Sequence, residues 1–262
     1  MDRMAGVVTR LSARLAQVAA FVPRDCVVAD IGADHALLTV WLVATGMARR
    51  AIAVEVRPGP LAAARETIAR AGLADRIDVR LGDGLEPLAP GEADVVVLAG
   101  MGGRLICRIL EKGSAKLRGV RRLVVQPNGG EAEVRRWWLE HGWKPVDEAL
   151  VEEKRRFYEV LAAEPAVDAA DAETPYAAER CGRLQLDREL KLEMGPYLLK
   201  KGSHAFFAKW ELERQKAART AAAAARSKSP EASAAAERWA LRERRIAEVL
   251  ACLRAERISS GW

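Results

Sequence analysis

The chain has 262 residues, of which 50% are hydrophobic and 30% charged, enough for one substantial domain and a smaller module. Every apolar run is shorter than the roughly 20 residues that cross a bilayer, so no membrane partner is expected. The first residues do not follow the pattern of a secretory signal. The four cysteines are far apart, which argues against a metal site or a disulfide framework and favours a reduced, cytoplasmic setting.

The net charge of +6 is concentrated in the last third of the chain. From Tyr176 onward there are 18 Lys plus Arg and 11 Asp plus Glu, a balance of +7, whereas the rest carries 24 basic and 25 acidic side chains. This asymmetry indicates a polyanionic partner, although a basic helical face exposed only to solvent would look the same.

Up to residue 163, helical and strand patterns alternate. Pro23 ends the first predicted helix. The predicted strands are 27–29, 51–54, 77–81, 93–99, 122–125, 143–151 and 156–163, and the predicted helices are 7–21, 36–44, 61–71, 105–110 and 131–141. This alternation predicts an α/β fold with a parallel doubly wound sheet, with 93–99 as its central strand. The last two strands would form a hairpin that places one antiparallel strand in it.

Beyond this region the composition changes. Residues 165–175 are acidic and rich in alanine, and we predict a linker there between a domain over 1–164 and a basic module over 176–262. Helical spacing of apolar residues predicts helices at 203–225 and 231–256, joined by a short loop as an antiparallel hairpin. Such a hairpin pairs within or between chains, so a monomer and a weak dimer are both open.

The turn after the first strand, in the segment ADIGADHALL, is acidic. Asp30 and Asp34 flank Gly32 at the carboxyl end of the strand, where open parallel sheets bind ligands. Two carboxylates would repel a pyrophosphate, but they suit a nucleoside that carries a positive charge and no phosphate. S-adenosylmethionine (SAM) is such a ligand, and we predict that it binds here.

The ends of the next two strands supply residues for its nucleoside. Glu55 lies 25 positions after Asp30, close to where a ribose-binding acid is expected. Asp83 is positioned to accept the adenine amino group, with Leu85 against the ring. Gly32 would let the backbone approach the methionine portion, and Asp34 or His35 would contact its polar end.

Each of these residues also has a structural interpretation. Asp30 would serve equally as a helix cap, and His35 as a hydrogen-bonded structural histidine. Residues 82–84 and 126–128 are also compatible with ordinary turns. Four such features at successive strand ends favour a binding site over chance.

Five motifs in order resemble one family: ADIGADHALL, Glu55 with RPGP, GDGL, LAGMGG and QPN. They are similar to the bacterial tRNA adenine-N1-methyltransferases of the TrmK family. The resemblance covers about residues 11–164, continues more loosely through GPYLLKKG and FFAKWELE, and beyond about residue 217 is limited to helical character. Ala33 stands where a serine would be expected, which removes one hydroxyl contact.

The resemblance implies a class I SAM-dependent methyltransferase with a Rossmann-like, mostly parallel seven-stranded sheet and a C-terminal α-helical coiled-coil hairpin. The implied reaction is methylation of N1 of adenosine 22 in the D-loop region of tRNA, with the basic module binding tRNA. The implied SAM-binding residues are Gly32, Asp34, His35, Glu55, Asp83, Gly84, Gly100, Met101 and Gly102.

By the same resemblance, Gln126, Pro127 and Asn128 lie where many amino-group methyltransferases hold the target nitrogen with Asn-Pro-Pro-Tyr. The tyrosine is missing, so any stacking on the target base comes from elsewhere. Neutral adenine N1 has a lone pair, so its attack on a methyl group needs no strong base. The expected catalytic work is positioning and stabilisation of the cation by Asp83, Asp30 or the Asn128 carbonyl.

Two other interpretations stay open on the sequence. One is a SAM-dependent enzyme acting on another RNA position or a small molecule. The other is a non-catalytic module whose tail is a protein-interaction coil. A nicotinamide dehydrogenase is poorly supported, because no G-x-G-x-x-G follows the first strand.

Overall fold

A computed structural model describes residues 10–227 and 229–259. They form two compact units that divide between Pro175 and Tyr176. The first unit contains a seven-stranded sheet with the order β3-β2-β1-β4-β5-β7-β6. Its strands are β1 (Cys26–Ile31), β2 (Ala48–Glu55), β3 (Ile77–Leu81), β4 (Val95–Met101), β5 (Arg122–Pro127), β6 (Trp143–Glu153) and β7 (Arg156–Pro165).

Neighbouring strands from β3 to β5 are parallel, whereas β7 pairs antiparallel with both β5 and β6. The predicted mostly parallel seven-stranded sheet is therefore confirmed, as is β4 as its central strand. Val95, Val96, Val97 and Leu98 are each 0% exposed, because helices cover both faces of the sheet at this strand.

The helices of this unit divide the core into two apolar layers, one on each face of the sheet. Alternate residues of β1 and β4 belong to opposite layers, as the strand period of two requires: Val28 packs in one layer and Ala29 in the other. The helices are α1 (Ala13–Ala20), α2 (Leu37–Ala44), α3 (Pro58–Arg70), α4 (Gly103–Lys112), α5 (Glu131–Glu140) and α6 (Ala169–Glu173), with a 3₁₀ turn at Ser114–Leu117.

Two details of the first unit differ from the sequence prediction. β4 and β5 extend to Met101 and Pro127, because these two residues pair beyond an irregularity that follows Ala99. The stretch predicted as a linker contains α6, whose first turn is capped by the Asp168 carboxylate accepting from the Asp171 amide at 2.8 Å. Residues 7–9 of the first predicted helix lie outside the described residues.

A 3₁₀ turn at Thr174–Tyr176 leads into the second unit, which begins with a two-stranded hairpin, β8 (Glu179–Cys181) and β9 (Leu184–Leu186). The sequence did not predict these elements. Two short helices follow, α7 (Arg188–Met194) and α8 (Pro196–Lys201). The two long helices are α9 (His204–Ala224) and α10 (Pro230–Ser259).

α9 and α10 pack as the predicted antiparallel pair. Arg257 near the end of α10 donates to the Gly202 carbonyl just before α9 at 2.6 Å, and Arg214 donates to Glu243 at 2.6 Å midway along the pair. Within the described part of the chain, no helix combines the length and apolar character needed to cross a membrane.

The prediction that the cysteines form no disulfide is wrong for one pair. Cys181 of β8 and Cys252 of α10 are joined by a disulfide, with their Cα atoms 6.0 Å apart. They are separated by 71 positions in the chain, and only the packing of the β8–β9 hairpin against α10 brings them together. Cys26 and Cys107 are free; Cys26 is buried and Cys107 half-buried, and burial raises the pKa of each thiol to about 11.

Candidate active site

A cleft of about 450 Å³ opens at the carboxyl ends of β1, β2 and β4. Its floor is the turn after β1, where the Gly32 and Ala33 amides donate to the Val54 carbonyl at 2.9 and 3.2 Å. Gly32 has φ +74°, and a Cβ there would lie 3.0 Å from Met101 Cε. A glycine at this position therefore allows the turn to approach the end of β4 closely.

Glu55 is a buried carboxylate at the wall of this cleft, 6% exposed. It accepts hydrogen bonds from the amides of Asp34 at 2.7 Å and Val56 at 3.2 Å. Asp34 and Ala36 both have left-handed backbone, with φ of 53° and 55°, which is strained for residues other than glycine. The Glu55 contact helps to hold this strained turn in place, and it fixes the carboxylate before any ligand enters.

Asp30 lies deeper, at the end of β1, and is 4% exposed. Its carboxylate accepts from the Thr39 hydroxyl of α2 at 2.6 Å. Burial is the main cause that raises the pKa of Asp30 to about 6; the Thr39 hydrogen bond opposes the rise and the Glu55 charge adds to it. The helix-cap interpretation is wrong, because Asp30 is a strand residue and α2 begins after Ala36 without a side-chain cap.

The raised pKa of Asp30 predicts a pH-dependent stability. Between about pH 4 and 6 the folded protein holds a proton that the unfolded chain releases, so stability falls as pH rises through this window. We expect D30N to lack this decrease and to exceed the wild type by up to about 3 kcal/mol above pH 7, with the gap closing near pH 4. Urea unfolding of D30N and the wild type at pH 4.5 and 7.5 measures this difference in the free energy of unfolding.

Asp75 provides the control, because it is an exposed carboxylate of the same unit. D75N should follow the wild type at both pH values. A constant difference between D30N and the wild type across this range would show that Asp30 does not titrate as described.

A second depression of about 420 Å³ adjoins the cleft and shares Leu105 with it. Asp83, Gly84 and Leu85 line it from the end of β3, and α4 forms its other wall. Lys112 of α4 donates to the Asp83 carboxylate at 2.9 Å. The residues predicted to bind SAM therefore form two groups. Those from β1 and β2 lie in the cleft, whereas Asp83, Gly84 and Leu85 lie in the second depression, beyond Leu105.

Gly100 and Met101 line the cleft from β4, whereas Gly102 is the residue before α4. His35 lies at the mouth, with its side chain 61% exposed and Nε2 3.8 Å from the Asp34 carboxylate.

Gln126 and Pro127 are the last residues of β5, and Asn128 follows them, next to the end of β4. Gln126 and Pro127 are buried, and Asn128 is exposed. The Asn128 side-chain amide donates to the Gly100 carbonyl at 2.8 Å, and its backbone amide donates to the Met101 carbonyl at 2.9 Å. The target-binding motif inferred from the resemblance is therefore attached to the wall of the cleft by hydrogen bonds.

Arg14 is a cleft residue that the sequence patterns did not predict. It comes from α1, lines the cleft beside Gly100, and donates from Nη1 to Gln126 Oε1 at 2.5 Å. A signal was present in the sequence, because Arg14 falls at the same helical spacing as the apolar residues Leu11 and Val18. A charged residue within an apolar stripe calls for a polar partner.

The cleft fits the predicted ligand class on charge and shape. It places the carboxylates of Asp30, Asp34 and Glu55 together, and the volume lies in the range of small-molecule sites. Glu55 keeps lone pairs beyond its two amide contacts, which suits ribose hydroxyls. These carboxylates would repel a phosphate group, so the cleft favours a cationic nucleoside without phosphate.

Comparisons with known proteins agree with this chemistry. Residues 11–161 match the family model described as "Methyltransferase domain". The tRNA (adenine(22)-N(1))-methyltransferase of Bacillus subtilis strain 168 is 40% identical over 206 residues, 79% of this chain and 82% of that protein.

Solved structures extend the similarity to nearly the whole chain. The B. subtilis M1A22 tRNA methyltransferase TrmK superposes with a TM-score of 0.82 at 35% identity, over 92% of this chain and 99% of that one. Streptococcus pneumoniae Sp1610, a putative tRNA (m1A22) methyltransferase solved with S-adenosyl-L-methionine, gives 0.76 at 34% identity, over 92% and 100%. The chain therefore belongs to the methyltransferase superfamily and, within it, to the TrmK family of tRNA (adenine(22)-N(1))-methyltransferases.

Proposed function

We propose that this protein transfers the methyl group of SAM to N1 of an adenosine in tRNA, the one at position 22 as in the name of its B. subtilis relative. The observation that carries the proposal is the buried Glu55 carboxylate, fixed by the Asp34 amide in an acidic cleft of a chain with this family membership. Because tRNA is the substrate, the proposed location is the cytoplasm.

The cleft residues have separate roles in this proposal. Glu55 accepts the ribose hydroxyls, Gly32 and Asp34 hold the methionine portion with His35 at the mouth, and the backbone at Gly100 completes the pocket. Beyond Leu105, Asp83 faces the adenine amino group with Gly84 and Leu85 against the ring.

Bound SAM supplies the methyl group on a sulfonium. Neutral adenine N1 carries its own lone pair, so the protein needs to position this atom and does not need to remove a proton from it. Asn128, whose side-chain amide donates to the Gly100 carbonyl, holds the target base in this proposal. The positive charge that passes to the purine is stabilised by the carboxylates around the cleft, of which Asp30 and Glu55 are the most buried. N1 is a base-pairing atom, so the adenine must leave its stack first.

The basic module over 176–262 is proposed to bind tRNA phosphates. Arg219, Arg226 and Arg238 are exposed arginines on and between α9 and α10. Replacing all three by glutamine should lower the slope of log affinity against log salt by about 2, since each phosphate contact contributes about 0.7 to 0.9. Filter binding of tRNA from 50 to 300 mM salt measures this slope. The SAM affinity of the triple variant should equal that of the wild type.

A matched control removes the same charge from the first unit. Arg24, Arg50 and Arg118 are exposed at the amino-terminal edge of the sheet, away from the carboxyl ends that form the cleft. The triple glutamine variant should keep the wild-type slope. An equal decrease of the salt slope in both triple variants would show that tRNA affinity depends on total charge and that the module has no specific role.

Mass spectrometry of nucleosides tests the reaction itself. Unmodified tRNA is incubated with enzyme and SAM, digested and searched for 1-methyladenosine, and the modified position is mapped by fragment analysis. Another methylated nucleoside would indicate a different target of a SAM-dependent enzyme. SAM binding without any methylated nucleoside would favour the non-catalytic module.

A further inference from the structure

A path of hydrogen bonds runs from α1 to the end of β4 through two side-chain amides. Arg14 Nη1 donates to Gln126 Oε1 at 2.5 Å. Gln126 Nε2 donates to the Pro127 carbonyl at 2.8 Å and to Asn128 Oδ1 at 3.1 Å. Asn128 Nδ2 then donates to the Gly100 carbonyl at 2.8 Å.

The two ends of this path determine how both amides point. A guanidinium only donates and a carbonyl only accepts, so Gln126 must turn its oxygen to Arg14 and Asn128 must turn its nitrogen to Gly100. Gln126 is 0% exposed, so its oxygen depends on a protein donor. Without Arg14, that buried oxygen would lose its donor, at a cost sufficient to move the side chain.

Arg14 also contacts β6 and β7. Its backbone amide donates to the Glu153 carboxylate at 3.0 Å, and its guanidinium lies 5.7 Å from the centre of the Tyr158 ring. β6 and β7 thus hold α1 against the end of β5. Because Arg14 is fixed in this way, its guanidinium determines the orientation of the Gln126 amide, and Gln126 does not determine that of Arg14.

We infer that Arg14 is a positioning residue, which acts through Gln126 to orient the Asn128 amide that faces the target adenine. The inference rests on the proposed function for its consequence in catalysis. A guanidinium does not act as a base, and it would repel the positive charge that passes to the purine. Its contribution is therefore expected through the amides and not by contact with the reacting atoms.

Asn128 is the only asparagine in the sequence, so the signal of its side-chain amide can be assigned without ambiguity. Labelling with ¹⁵N-asparagine gives a single side-chain NH₂ pair in the NMR spectrum of the full chain. We expect R14M, which keeps an unbranched side chain without donors, to shift or broaden this pair. R14K, which keeps a donor, should recover part of the wild-type position. An unchanged pair in R14M would overturn the inference.

Kinetics test the catalytic consequence separately. We expect R14M to lower kcat about 10-fold, with the SAM Kd and the KM for tRNA within about two-fold of wild type. R14K should recover part of the wild-type kcat. R24M, at the opposite edge of the sheet, should match wild type in spectrum and rate. A rise in SAM Kd at unchanged kcat would overturn the inference and assign Arg14 to SAM. If the wild type makes no 1-methyladenosine, the proposed function fails, while the NMR result still decides the orientation.

Discussion

Replacing Glu55 by alanine is expected to raise the Kd for SAM by about 100-fold. The carboxylate is 6% exposed and already fixed by the Asp34 amide, so its bonds to ribose hydroxyls form without reorganisation. Two hydrogen bonds to a charged group at about 1.5 kcal/mol each amount to about 3 kcal/mol, which is about 100-fold in Kd. Titration calorimetry with SAM measures it.

Two further variants test whether the loss of SAM affinity comes from the Glu55 carboxylate or from a change in the fold. E55Q keeps an oxygen for the Asp34 amide and loses one ribose acceptor, so an intermediate loss of about 10-fold is expected. Glu66 is exposed on α3 beside Arg70, and E66Q should bind SAM as the wild type does. If E55A bound SAM with wild-type affinity while folded, the ribose contact would lie elsewhere.

Gly103→Ala is expected to destabilise the protein by about 3 kcal/mol and to reduce methylation by more than 100-fold. A Cβ on Gly103 would lie 2.2 Å from the Gly130 carbonyl oxygen, which is backbone and cannot rotate away. The Gly103 amide also donates to the Gly129 carbonyl at 2.8 Å. The added methyl would therefore separate α4 from the turn that carries Asn128. Urea unfolding and the initial rate of 1-methyladenosine formation measure the two effects.

Gly59→Ala provides the comparison for this variant. Gly59 lies in the first turn of α3 without a positive φ, and a Cβ there would meet no atom within 4 Å. G59A should keep both stability and rate, with a slight gain in stability from helix propensity. A stable but inactive G103A would show that the turn position matters for catalysis alone. A stable and active G103A would contradict the close packing.

The sequence determined the α/β class and the central strand for a local reason. Residues 93–98 include an unbroken apolar run, and such a run requires cover on both faces, which the middle of a parallel sheet provides. The sequence also located the acidic strand ends, because Asp30, Glu55 and Asp83 each come one or two positions after a predicted strand. Parallel strands place these ends on one edge, so their proximity could be predicted without coordinates.

The tertiary structure decided the contacts between distant elements. The Arg14–Gln126 hydrogen bond joins residues 112 positions apart, and Asp83 finds Lys112 on a helix that begins after the next strand. The Cys181–Cys252 disulfide depends on the short hairpin β8–β9, whose strands of three residues are too brief for a periodic signal. Periodicity reports which face of an element is buried, because apolar side chains recur along the chain with the period of that helix or strand. It does not report which other element covers that face, and that arrangement gave Gln126 its donor and Asn128 its orientation.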